Sequence, residues 1–121
     1  MTDFTLEERT AVFGENILKI LKTLPSNTFT KPLISQLIRS STSVGANYCE
    51  ANGASSKKDF RNKIHICKKE VQETKHWLRM LSSVIDDNIK KEDLRVLWQE
   101  AQELTLIFGK ITGTMNNKKS K

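Results

Sequence analysis

Phe60, Ile64, Cys67, Val71, Thr74, Leu78, Leu81 and Ile85 are separated by steps that alternate between four and three residues. An α-helix turns once in 3.6 residues, so this series stays on one side of a helix throughout, whereas a half-buried strand alternates by two. The segment therefore reads as one long helix with a coiled-coil type of seam. Ser56-x-x-Asp59 supplies its start, because a serine hydroxyl accepts a backbone N–H left free in the first turn. A seam this long must be covered, and the rest of the chain offers helices to cover it.

Phe13, Ile17, Ile20, Leu21 and Leu24 recur at helical spacing behind a Thr5-x-x-Glu8 capping box, and Pro25 ends that helix. After a short SNTFTK linker, with Thr30 as the expected cap and Pro32 in the first turn, a second helix carries Leu33, Ile34, Leu37, Ile38, Ser41, Val44, Gly45 and Tyr48 on one face. It frays around Asn52 and Gly53. Beyond DDNIKK, a fourth helix sets Leu94, Leu97, Ala101, Leu104, Phe108, Ile111 and Met115 three and four apart. The expected boundaries are about 5–24, 32–52, 57–86 and 91–115, with 116–121 a disordered basic tail. Four such helices on short loops pack most simply as an all-α, antiparallel up-down-up-down four-helix bundle in one domain. Trp77, Met80 and Val84 on the third helix, with Trp98 and Ile107 on the fourth, widen the apolar faces; a subunit interface and a broad core face both give that pattern.

No apolar run approaches the roughly 20 residues that cross a bilayer, and the start MTDFTLEERT has no apolar leader, so a soluble cytoplasmic protein without a membrane partner is expected. Cys49 and Cys67 form no C-x-x-C pair and sit at helical positions, which favours buried thiols over a disulfide or metal ligands. No Gly-rich phosphate loop, nucleophile elbow or Cys-His-carboxylate set is present, so no enzyme and no cofactor are expected. Glu73-x-x-His76 has the spacing of a carboxylate-bridged metal site, but the second Glu-x-x-His that such bundles require is missing.

Two surfaces remain. On the second helix, Arg39, Ser43, Asn47 and Glu50 fall on one stripe opposite Leu37, Ser41, Val44 and Tyr48, while Ser41 and Gly45 are small enough to admit a neighbouring backbone. The stripe suits an oligomer contact or a ligand, and equally a solvated face. On the third helix, Arg61, His65, Lys68, Lys69, Gln72, Lys75, His76 and Arg79 form a basic stripe about 25 Å long. From Lys57 to Arg79 there are eight Lys and Arg against three Asp and Glu, a local +5 within a chain of net charge +6. Such a row can follow a phosphate backbone by releasing counterions, with little base readout; an ordinary solvated face is the competing reading.

The run QLIRSSTSVGANYCEANGASSKKDFRNKIHICKKEVQETKHWLRML, from Gln36 to Leu81, resembles the signature region of the bacterial four-helix bundle proteins encoded in intervening sequences of 23S ribosomal RNA genes. The matching positions are Arg39, Ser40, Ser43, Asn47, Glu50, Lys57, Lys58, Asp59, Phe60, Glu70, Glu73, Trp77 and Leu78. The resemblance implies a homopentamer and no established biochemical activity. It adds Glu70, Glu73 and Trp77 to Arg39, Ser43, Asn47 and Glu50 as an oligomer or ligand surface. Relatives are similar to the accessory protein of diversity-generating retroelements, which pairs with a reverse transcriptase and binds nucleic acid. Two roles follow as expectations: binding of RNA or DNA through Arg61, His65, Lys68, Lys69, Lys75 and Arg79, or a scaffold for a protein partner such as a polymerase.

Overall fold

A computed structural model describes residues 5–120, with side chains through residue 115. It contains four helices, α1 (Leu6–Leu21), α2 (Thr30–Asn52), α3 (Lys57–Ser83) and α4 (Asn88–Ser120), and no strand among the described residues. Each helix packs against the next and α4 returns to α1, while neither diagonal pair approaches at the backbone. Contacts between successive helices run in opposite chain directions. Gly14 of α1 meets Ser41 where Thr10 meets Gly45; Ser40 of α2 meets Thr74 where Glu50 meets Lys63; Lys68 of α3 meets Gly109 where Lys75 meets Gln102. The bundle is thus up-down-up-down.

Along α3 the seam is inside as its spacing requires: Ile64, Cys67, Val71, Thr74, Leu78 and Leu81 are buried, with Ile85 buried just past the helix end. They pack with Phe13 and Ile17 of α1, Leu37 and Val44 of α2, and Leu94, Ala101, Leu104 and Phe108 of α4. Burial of side chains of this size is worth roughly 1.5–3 kcal/mol each before the entropy of ordering them is charged against it. The α1–α2 pair approaches closely because both helices offer a glycine: a methyl at Gly14 would stand 3.5 Å from the Ser41 carbonyl oxygen, and one at Gly45 3.5 Å from the Thr10 backbone.

Several boundaries differ from those the sequence suggests, each for a local reason. Helix α1 ends at Leu21 in a tight turn that carries Thr23 N–H to the Ile20 carbonyl, although Leu24 remains buried. Thr30 is not the cap of α2. Asn27 is: its Oδ1 accepts the N–H groups of Phe29 and Thr30 at 2.9 and 3.0 Å, and the buried Thr30 hydroxyl takes the Asn27 N–H at 2.9 Å in return. Thr5 and Ser56 do cap α1 and α3, accepting from Glu8 and Asp59 at 3.1 and 3.0 Å. Helix α3 stops at Ser83 rather than near residue 86, and α4 begins at Asn88 because Asp87 caps it, accepting from Ile89 and Lys90 at 2.9 and 3.2 Å. The α4 backbone continues past the expected end at 115 to Ser120, a stretch without Gly or Pro to stop it; Lys121 lies outside the described residues. Ile38, expected on the core face of α2, is 43% exposed, since Leu37, Ser40, Ser41 and Val44 already fill that face.

Candidate functional site

Helix α3 is polarised sideways. Its α2-facing flank carries acids, and α2 answers with the stripe that begins at Arg39. The Arg39 guanidinium donates to Glu70 at 3.0 Å and to Glu73 at 2.5 Å, and its Nε bonds Gln36 at 3.3 Å. Bonding to Glu73 raises the Arg39 pKa above its usual value, desolvation opposes it, and bonding to Glu70 adds to the rise. Farther along, Lys63 bonds Glu50 at 3.0 Å, and that contact likewise holds the ammonium more firmly protonated. Beneath these pairs lie the Ser40–Thr74 hydroxyl contact at 2.9 Å and the Cys67 thiol, which donates to the Val44 carbonyl at 3.6 Å. Burial pushes that thiol up to about 12, so it stays protonated and inert at neutral pH.

Of the residues expected to form an oligomer or ligand surface, Arg39, Glu70 and Glu73 therefore converge. Glu50 is tied to Lys63 instead. Ser43 and Asn47 turn back on their own helix, Ser43 Oγ donating to the Arg39 carbonyl at 2.7 Å and Asn47 Nδ2 to the Ser43 carbonyl at 2.8 Å. Trp77 lies half-buried with its Nε1 enclosed and without a hydrogen-bond partner among the described residues, its ring 5.0 Å from that of His76 in an edge arrangement. Glu73 and His76 do not converge: Glu73 is engaged by Arg39 across the α2 groove, while His76 stands exposed.

The opposite flank and outer face of α3 are basic. His65, Lys69, His76 and Arg79 are exposed and Arg61 is half-buried, while Lys68 and Lys75 are half-buried beside α4. Among the described residues none of these seven enters an ion pair. Lys68 lies along Gly109, 3.9 Å from where a methyl would be, so the glycine leaves room for its stem. Lys75 bonds Gln102 and stands over the Trp98 ring, 4.9 Å from its centre. The two are thus docked on α4 with their charges uncompensated. Lys91 and Arg95 of α4 extend the cationic surface past Arg79; sequence reading passed over them, although Lys91, Arg95 and Trp98, spaced four and three, already marked one flank of a helix.

Of the two cysteines, Cys67 is buried as expected, but Cys49 is exposed, its thiol pKa raised chiefly by a hydrogen bond with Glu7. Among the described residues no three His, Cys, Asp or Glu side chains gather as a metal site, and no helix is long and apolar enough to cross a membrane.

A family model described as 23S rRNA-intervening sequence protein matches residues 2–110. A solved structure of a protein with unknown function from the S23 ribosomal protein family, from Bacteroides thetaiotaomicron VPI-5482, is 28% identical with a TM-score of 0.76, over 89% of this chain and 98% of that one. Comparison with curated proteins gave no significant match.

Proposed function

The chain belongs to the 23S rRNA-intervening sequence protein family, and from that membership we propose that it is a non-enzymatic, homo-oligomeric four-helix bundle of the cytoplasm that binds RNA or DNA along the basic flank of α3. One observation carries the reading: Arg61, Lys68, Lys69, Lys75 and Arg79 enter no ion pair among the described residues, although α3 has carboxylates of its own. Two of its three carboxylates, Glu70 and Glu73, are turned to the other side and engaged by Arg39, and the third, Asp59, sits in the first turn of the helix, so Glu70 and Glu73 do not cancel the basic row. Uncompensated cations in a line attract a polyanion by releasing its condensed counterions, and they read charge rather than sequence.

An assembly strengthens this reading, because each copy adds a row and several weak contacts act together. The resemblance to the family implies a homopentamer. Val96 and Leu106 of α4, 55% and 57% exposed, and Ile38 of α2 are apolar surface that such an assembly can cover. Light scattering of the purified chain should give five times the 13.8 kDa chain mass; a monomer would remove the oligomer from the reading. The same exposed side chains support the second reading, a scaffold for a protein partner such as a reverse transcriptase. It would stand in place of the first if salt-insensitive capture of such an enzyme were measured together with no binding of nucleic acid.

The direct experiment is a filter or fluorescence binding assay with a structured RNA and a DNA duplex. Lys68→Glu with Lys69→Glu should abolish binding at about 100 mM salt with helicity retained, since both side chains lie outside the core. Binding unaffected by this double reversal would refute the assignment to α3. Lys75 is left out of the test variant because its contacts with Gln102 and Trp98 tie it to packing.

A further inference from the structure

Where the end of α3 crosses the start of α4, the groove between them deepens into a pocket of about 510 Å³. Arg79, Lys91 and Arg95 line it from the two helices, and no carboxylate does. Below them the walls are Leu78, Leu94 and Trp98. Lys75 covers part of the indole at 4.9 Å, and Trp98 still faces the pocket. The lining is therefore divided, with positive charge at the mouth and an apolar, partly aromatic wall beneath.

Charge decides what kind of anion fits. Arg95 already holds Glu92 through contacts of 2.6–3.1 Å, but both side chains are more than half exposed, and pairs of that sort are worth little. Counting Glu92 against the three cations leaves a local charge of about +2. A phosphodiester within a strand carries a single negative charge, whereas a phosphomonoester carries about −1.5 to −2 at neutral pH and three acceptor oxygens. The monoester matches the pocket in charge, and the guanidinium fork of Arg79 suits its geometry. A flat heterocycle attached to that phosphate has the half-buried Trp98 to lie against.

We propose that this pocket binds a nucleoside phosphomonoester, either free or as the phosphorylated end of a nucleic-acid strand. The choice of phosphate carrier rests on the nucleic-acid reading above. On that basis the bundle has two contacts with its ligand: the α3 row follows the internal phosphates, and the pocket at its end takes a terminal one.

The test is calorimetric titration of the full chain with one short RNA carrying a phosphate at its 5′ end, at its 3′ end, or at neither, beside a nucleoside monophosphate, the bare nucleoside and inorganic phosphate. A phosphorylated end should bind about tenfold more tightly than the hydroxyl-ended RNA, in line with one or two added charge-assisted hydrogen bonds. Lys91→Gln and Arg95→Gln, pocket positions on α4 that lie outside the core and outside the α3 row, should erase that preference and leave binding of the hydroxyl-ended RNA within about threefold. The mononucleotide should also change the emission of Trp98 in a Trp77→Phe background, where it is the single tryptophan. If the bare nucleoside binds as well as the monophosphate, or a preference for phosphorylated ends survives both substitutions, the inference is overturned. RNA binding indifferent to its ends overturns the pocket's role and leaves the α3 reading standing; mononucleotide binding without any RNA binding does the reverse. Preference for inorganic phosphate over the mononucleotide would overturn the nucleoside part of the ligand.

Discussion

Replacing Thr74 by valine should destabilise the protein more than replacing its partner Ser40 by alanine. Both hydroxyls are fully buried, 2.9 Å apart between α2 and α3, and Thr74 also reaches the Glu70 carbonyl at 2.8 Å. Thr74 has one proton. If it goes to the Glu70 carbonyl, Ser40 must donate to the Thr74 oxygen, which makes Thr74 the one side-chain partner of the Ser40 hydroxyl among the described residues, while Thr74 keeps a second. Thr74→Val preserves side-chain shape and leaves a buried serine hydroxyl unpaired, at a cost of about 2 kcal/mol within a range of 1–3. Ser40→Ala removes one modest hydrogen bond and orphans nothing, at about 1 kcal/mol. The double variant has no unpaired hydroxyl left and should cost about 1 kcal/mol rather than the sum of about 3, a coupling of about 2 kcal/mol. Urea unfolding followed by far-ultraviolet circular dichroism reads all four corners of this cycle at constant slope. Additive single effects, or a larger loss from Ser40→Ala than from Thr74→Val, would refute the assigned direction of the network.

Further outcomes follow from contacts at the same level of detail. Gly45→Ala places its methyl in ordinary contact at 3.5 Å from Thr10, so stability should hold or rise by up to about 1 kcal/mol from helix propensity, whereas Gly45→Leu should lose about 1–3 kcal/mol by forcing α1 away. Asp87→Ala removes the acceptor for two N–H groups of α4 and should cost about 1 kcal/mol in the same unfolding assay. An aromatic disulfide reagent should modify one thiol, Cys49, in the native protein and Cys67 only on unfolding. Because the Cys67 pKa rises from 9.0 to about 12 on folding, the unfolded chain releases that proton first, and stability should fall as pH climbs from about 9 toward 12; Cys67→Val should flatten this fall.

The long seam of α3 was readable because eight positions in strict four-three order leave one helical solution, and the neighbouring helices follow from the need to cover it. Position along one helix says nothing of which neighbour stands beside it. Arg39 lies 31 and 34 residues from Glu70 and Glu73, so their meeting depends on the register between α2 and α3. The same register sorts the acids of α3 from its bases. Ser40 is buried because a hydroxyl across the interface receives it, a circumstance no hydropathy pattern records. Asp87 and Asn27 were passed over as parts of polar linkers, yet each carries the side-chain oxygen that starts a helix. Lys91 and Arg95 acquire meaning only beside Arg79, which belongs to another helix.

Most direct for the basic flank of α3 is the dependence of RNA affinity on salt between 50 and 200 mM. With three or four of its unpaired cations engaged, log K against log salt should fall with a slope of about −2 to −3 on single strands and about −3 to −4 on duplex. Lys68→Gln with Lys69→Gln should reduce that slope by about 2. A slope near zero, or one that the double substitution leaves unchanged, would contradict phosphate binding by this face.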